Sequence, residues 1–574
     1  MPSTLGFRLT FEVPHWYAIV SGTIIILLLF SRSRRRLSLR FAPWINRHVF
    51  MPLSLWHLTR LQVAQASAYL VLNVLTLSVF IRSAAEVGQR AAVLCTFNMI
   101  PLFTTGRVLA TILNISIWTY DLWHNAIGLV VVVQGLIHGG ISISTRSVQL
   151  RSYTVTGWVV SLTILLLLFT SVPIVRRRLK GLFGLLHGML ATASLATLAI
   201  HVLPLGLGTS TVQIFVAGAL LLVGMCWRLL LLLRRGRATK IETIGASQDM
   251  SCVKVTLRDA IRPYPGMYFH LYLSGTPLRN RLAGTPTPAF FWSEGTAAKD
   301  IHFLVRDPST KPLSMRLEGP YGNNLHLEEY DSVLLFAEST GVSSIMPYAL
   351  HLLHRRRHDQ REKERLQGPL RGGSQTNLAR TIGKLSDVIF YGDKTRRVEF
   401  ILALRTNDDI YWCREQLSEL MNLGSSQQRL ICGRIFTFQG DDLGMSIPHS
   451  LQDRWKIHTI GRMQLEQSFK VYLDACAFSP GSKVTVVSGS PAFANTVRQL
   501  VLNSSYTRMD FKETDFSPDV AHHSVRSVNL ARGAQDPRRT SRVRLRNTPR
   551  IALSDIKVVH TKPLDGQTAH IYNA

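Results

Sequence analysis

The chain has 574 residues, 46% of them hydrophobic, with 65 Lys and Arg against 36 Asp and Glu. A mean hydropathy of +0.14 excludes a wholly disordered chain, and the gathering of long apolar runs before about residue 235 excludes a single soluble domain. Six cysteines without a Cys-x-x-Cys pair exclude a disulfide scaffold and a zinc site built on paired thiolates. The net charge of +29 suits a nucleic-acid partner in principle. Much of it borders apolar runs, where the preference of cytoplasmic loops for Lys and Arg explains it more simply, so no nucleic acid is expected.

Seven apolar segments read as membrane helices, at about 14–31, 62–82, 91–106, 118–142, 154–175, 182–206 and 210–233, with 91–106 short for a span. The first is not a cleaved signal peptide, because Arg32, Arg34, Arg35 and Arg36 follow the apolar run rather than precede it. Basic residues concentrate in alternate loops. Arg40, Arg47 and Arg60 join the first group, Arg176, Arg177, Arg178 and Lys180 follow segment five, and Arg234, Arg235, Arg237 and Lys240 follow segment seven. The pattern predicts an integral, multi-pass protein with its N-terminus outside and its C-terminal half cytosolic.

Four histidines carry the chemistry of this half. Segment four holds His124 and His138, and segment six holds His187 and His201, both pairs spaced His-x13-His. Fourteen residues make about 3.9 helical turns, so each pair shares a face, and the rise of about 21 Å spans two-thirds of the hydrocarbon core. The two segments run in the same direction, which pairs His124 with His187 and His138 with His201 at two depths. Two imidazoles without a nearby carboxylate or thiolate suit zinc poorly, whereas haem iron takes two axial histidines readily. The expectation is two stacked b-type haems with these four residues as iron ligands.

The stretches RAAVLCTFNMIPLFTTGRVLATILNISIWTYDLWHNAIGLVVVVQGLIHGG and SVPIVRRRLKGLFGLLHGML resemble the ferric reductase transmembrane component. The chain is similar to fungal ferric/cupric-chelate reductases and, more distantly, to NADPH oxidases. The matching features are an Asn-x-Pro turn, here Asn98 to Pro101 and one residue longer, then Arg107, the four histidines, Ser171, Arg176, Arg177 and Phe183. The resemblance covers residues 60 to about 518. It implies an NADPH-dependent metalloreductase passing electrons through FAD and two haems to extracytoplasmic ferric or cupric chelates or a siderophore. Such a protein would sit in the plasma membrane, support iron or copper uptake, and work beside a metal permease or oxidase system. A superoxide-producing oxidase is a variant with the same wiring.

The resemblance divides the chain into an N-terminal helix and basic loop (1–60), a haem-binding membrane domain (61–235), an antiparallel flavin barrel (236–325), an α/β nucleotide domain (326–518) and a tail (519–574). Strand-like runs SCVKVTL, GMYFHLYL, IHFLVRD and SMRLEGPYG build the barrel. Its family motifs fall on Pro265, Gly266 and Tyr268, on Thr287, Pro288 and Phe290, and on Gly319, Pro320, Tyr321 and Gly322. The His-Pro-Phe-Thr/Ser flavin motif is altered here to Thr287-Pro288-Ala289-Phe290, followed by Phe291-Trp292-Ser293.

Alternating strand and helix patterns after residue 330 predict a doubly wound sheet, whose ligands sit at strand ends. The family's Gly-Gly-Thr-Gly-Ile becomes Glu338-Ser339-Thr340-Gly341-Val342, followed by Ser343, and its Cys-Gly-Pro becomes Ser488-Gly489-Ser490. Arg405 matches an arginine that could meet a 2′-phosphate, and Phe516 matches part of the terminal aromatic motif, with Pro518 where the family has tryptophan. Residues 354–383 read as a basic inserted loop or frayed helix, and 519–574 as a basic disordered tail. Intact haem ligands beside altered cofactor motifs leave a second reading open, a haem electron carrier or redox sensor without its own nucleotide site.

Overall fold

In a computed structural model, the structure describes residues 59–104, 110, 117–145, 152–179, 181–205, 208–235, 238–246, 250–273, 284–292, 297–306, 315–370, 390–404, 407–425, 430–437, 447, 449–459, 467, 469–473, 481–503 and 509–514. The first apolar segment with its basic loop, Arg107, Arg405, Phe516 and the tail lie outside the described residues.

Seven helices precede the first strand among the described residues: α1 (Arg60–Ser78), α2 (Ala84–Phe103), α3 (Ile117–Thr145), α4 (Ser152–Ser171), α5 (Pro173–Leu179), α6 (Gly181–Val202) and α7 (Thr209–Arg235). A capping box starts α1, with the Gln62 N–H donating to Thr59 Oγ1 at 3.2 Å and the Thr59 N–H to Gln62 Oε1 at 2.9 Å. Stretches within four of these helices, Arg60–Ser78, Tyr120–Ser144, Leu182–Val202 and Thr209–Arg234, are long and apolar enough to cross a membrane. Leu70, Val74, Leu129, Leu162, Phe169, Leu222 and Val223 are exposed on helix faces, far more apolar surface than a water-soluble bundle leaves open.

The expected turn at Asn98–Pro101 is not a turn. The chain stays helical through Pro101 and α2 ends two residues later at Phe103. Proline has no N–H to offer the carbonyl four residues back, and the helix stops two residues beyond it.

Among the described residues the C-terminal half contains two sheets. β1 (Ala238–Ala246), β2 (Met250–Ile261), β3 (Tyr268–Leu273), β4 (Thr285–Trp292), β5 (Ala298–Arg306) and β6 (Met315–Tyr321) form a curled antiparallel sheet in the order β1-β2-β5-β4-β3-β6. β7 (Ser332–Glu338), β8 (Arg397–Ala403), β9 (Ile431–Thr437), β10 (Trp455–Thr459), β11 (Lys483–Ser488) and β12 (Met509–Glu513) form a parallel sheet in the order β10-β9-β8-β7-β11-β12. Among the described residues the helices beside it include α8 (Val342–Leu370), α9 (Arg414–Ser425) and α10 (Pro491–Asn503). The strand order reverses between β7 and β11, which puts the switch point at Glu338–Gly341 and Ser488–Ser490. An antiparallel sheet followed by a parallel α/β sheet is the ferredoxin-reductase-like arrangement that the resemblance implies.

One core spans both sheets, joining Cys252, Phe290 and Leu304 to Val342, Ile345, Met346 and Ala349 of α8. Of the inserted stretch 354–383, read as a loop or a frayed helix, residues 371–383 lie outside the described residues and residues 354–370 continue α8. Its residues are good helix formers, and Asp359 ties the helix down by accepting the N–H groups of Tyr391 and Gly392 at 2.9 and 3.0 Å.

Candidate functional site

The structure brings His124 of α3 and His187 of α6 together, with ring centroids 6.1 Å apart and planes at 61°. Two imidazoles bonded at about 2.0 Å to opposite sides of one metal place their ring centres about 6 Å apart. Nδ1 of each ring is buried and has no hydrogen-bond partner. An unsatisfied polar atom on each ring of a facing pair is the state expected when a partner belongs between or beside them. Tyr120 stacks on His124 at 5.9 Å, Phe183 lies 5.2 Å from His187, and the Arg176 guanidinium covers Phe183 at 5.1 Å. Arg176, Phe183 and His187 therefore form one column. Ser171 stands outside it, its hydroxyl donating to the Leu167 carbonyl at 2.7 Å.

His138 and His201 are each oriented by a different helix. His138 Nδ1 lies 2.9 Å from the Gly88 carbonyl of α2. A carbonyl only accepts, so Nδ1 carries the proton and Nε2 keeps the lone pair that binds a metal. His201 Nδ1 meets the Thr156 hydroxyl of α4 at 3.1 Å, and a Cβ on Gly157 would lie 3.2 Å from the His201 ring. Glycine at 157 lets that ring lie against the α4 backbone. The four residues fit bis-histidine haem in donor type, and the first pair fits it in spacing as well.

The flavin positions are differently placed. Tyr268, Thr287, Phe290 and Tyr321 are 1%, 3%, 0% and 2% exposed. Phe290 packs into the core shared with α8. Gly266 has φ +86°, and its backbone lies under Tyr348 of α8 and the Asn323 carbonyl, with no room for a Cβ. Pro265 and Pro288 are buried and Pro320 is half-buried, and Gly319 and Gly322 are buried in the same junction. Tyr268, Thr287, Phe290 and Tyr321 are therefore packed inward, with little side-chain surface presented to a ligand.

At the switch point the arrangement is also closed. Glu338 Oε2 accepts the Ser490 N–H at 2.7 Å, at the start of α10. The structure places this carboxylate at the helix start that a phosphate would use. Ser339 has φ +49°, a conformation that the family's glycine adopts without strain, and Ser339, Thr340 and Gly341 are buried. Val342 and Ser343 are fully buried, and the Ser343 hydroxyl donates to the Thr340 carbonyl at 2.8 Å. Gly341 lies so close to the Ser488 carbonyl that no Cβ fits, and a Cβ on Gly489 would lie 2.7 Å from Glu338 Cβ. A dinucleotide does not fit while Glu338 holds this position.

Sequence reasoning missed the link between the two halves. Arg228 of α7 reaches Glu318 of β6, with Nε to Oε1 at 3.0 Å and Nη2 to Oε2 at 3.3 Å. The Tyr321 hydroxyl donates to Glu318 Oε1 at 2.8 Å, and the Tyr272 hydroxyl donates to Oε2. Glu318 precedes Gly-Pro-Tyr-Gly, and an arginine inside an apolar helix is a signal in itself.

No protein-family model and no curated protein sequence matches the chain. Among solved structures, it is similar to a ferredoxin reductase in carbazole 1,9a-dioxygenase at 12% identity and TM-score 0.29, covering 48% of this chain and 68% of that one. A flavohemoglobin from Malassezia yamatoensis with bound FAD and heme aligns at 9% identity and TM-score 0.33, over 75% of this chain and 99% of that one. A ferredoxin-NADP+ reductase from Plasmodium falciparum with 2′P-AMP aligns at 8% identity and TM-score 0.29, over 49% and 95%.

Proposed function

We propose that this chain is a membrane-spanning oxidoreductase of the ferric-reductase type, carrying electrons from the cytosolic side to a ferric or cupric chelate outside. The observation that supports it is the facing pair His124 and His187 at 6.1 Å. Bound haem would supply reversible one-electron chemistry at each pair. The chain's own residues hold the imidazoles. The Gly88 carbonyl fixes the tautomer of His138, Thr156 and Gly157 seat His201, and Arg176 with Phe183 covers the flank of His187.

The cytosolic donor divides two versions. In the first, NADPH and FAD bind to this chain, as the resemblance implies. In the second, a separate reduced protein delivers electrons and the cytosolic half serves as its platform. The closed switch point and the packed Phe290 support the second. The test is the absorption spectrum of the purified full-length protein with and without NADPH. Haem with stoichiometric flavin and NADPH-driven Soret shifts establishes the first version. Bis-histidine haem without flavin, reducible only by an added reductase, establishes the second, and absence of haem overturns both.

A further inference from the structure

Three side-chain amides close on one another inside the helix bundle. Asn98 Nδ2 of α2 donates to Asn73 Oδ1 of α1 at 2.9 Å and to Gln134 Oε1 of α3 at 3.1 Å. Gln134 Nε2 donates to the same Asn73 Oδ1 at 3.0 Å. Asn73 Nδ2 donates back along its own helix to the Tyr69 carbonyl at 2.9 Å. All three residues are only 3% exposed. In an apolar bundle such a cluster fixes the rotation of each helix, because turning one strands buried amide groups.

The geometry points to Asn73, Asn98 and Gln134 as positioning residues for haem ligation, setting the rotation of α3 and with it the aim of His138. Gln134 precedes His138 by four residues and follows His124 by ten, which puts it about 40° from the first and about 80° from the second around the helix. α2 thus holds α3 by two side-chain bonds near one face, Asn98 with Gln134 and the Gly88 carbonyl with His138. The Cys95 thiol adds a third contact between the helices, 3.5 Å from the Val131 carbonyl. His124 lies farther from this grip and takes its surroundings from Tyr120 and His187. Loss of the amide ring should therefore disturb the His138 site before the His124 site. This inference rests on the haem reading of the four histidines.

The test replaces all three amides with apolar residues of similar size, Asn73→Leu with Asn98→Leu and Gln134→Met. Removing every partner together avoids leaving a buried amide unpaired, so the melting temperature should change little. The full-length protein is then followed by electron paramagnetic resonance of its low-spin haems, and in haem-free form by 15N NMR of its histidines. The expected result is an unchanged His124/His187 signal, a shifted His138/His201 signal with about tenfold weaker haem retention, and loss of the bonded Nδ1–H of His138. Wild-type haem signals together with an unchanged His138 Nδ1 overturn the inference. If the triple variant does not fold, Gln134→Asn keeps the amide but shortens its reach, and the same readouts decide. A wild-type protein that binds no haem overturns the haem reading instead, and the NMR comparison then decides whether the amides aim His138.

Discussion

Arg228 of α7 and Glu318 of β6 form an ion pair at 3.0 Å in which the carboxylate is wholly shielded from solvent and the arginine side chain is 38% exposed. Tyr272 and Tyr321 complete the carboxylate's hydrogen bonds. One buried charge on the antiparallel sheet is thus answered by one charge on the last helix before it.

Arg228→Ala leaves Glu318 buried without its cation, and should destabilise the protein by about 3 kcal/mol. Adding Glu318→Gln should recover part of that loss, since the glutamine amide oxygen accepts one tyrosine hydroxyl and its N–H donates to the other without a charge. Thermal unfolding in detergent measures both, and an Arg228→Ala melt equal to wild type would remove the pair from the account of stability.

The histidine pairs give a stoichiometric expectation. His124→Ala and His187→Ala should each lower bound haem from two per chain to one, read by pyridine haemochrome assay, because alanine offers no ligand atom. His201→Ala should remove the other haem and leave the His124/His187 haem reducible. Two haems retained in each single variant would show that the pairing is wrong.

Glu338 gives a gain-of-binding prediction. Glu338→Gly with Ser339→Gly frees the start of α10 and relieves the positive φ at 339. Loss of the carboxylate's bond to the Ser490 N–H should cost about 1 kcal/mol, and relief at 339 should return about 1 kcal/mol. Stability should therefore stay nearly level while NADPH binds several-fold more tightly, a change of about 1 kcal/mol on a scale where 1.4 kcal/mol is tenfold. Isothermal titration provides the measurement, and equal affinities would show that Glu338 does not guard the site.

The C-terminal half should lose stability in acid. Burial, assisted by Lys254 for His302 and by Arg355 for His351, pushes both imidazoles down from 6.5 to about 4. The unfolded chain then binds more protons than the folded one between these values. The contribution is fully present above about pH 6.5 and drains away as the pH falls toward 4. His302→Gln, beside the Gln416 amide at 3.2 Å, should flatten that dependence, seen as a smaller drop in melting temperature between pH 7 and pH 4.5.

The sequence by itself marked most of the repeating elements and the faces that the histidines share. Apolar run length marked the helices, and identical His-x13-His spacing put each pair on one face, because helical geometry is local. Alternation marked β2, β3, β5 and β6, and buried runs marked β7, β8 and β11. The pattern did not mark β1, β9, β10 or β12, whose pairing depends on strands distant in the chain. What closes over the cofactor positions was decided only by tertiary structure. Glu338 meets Ser490 across 152 residues, Arg228 meets Glu318 across 90, and Phe290 fills space beside α8. A carboxylate in a motif looks the same whether it repels a phosphate or takes its place. The difference lies in which helix N-terminus the sheet order brings beside it, and hydrogen-bond geometry over long separations leaves no trace in local periodicity.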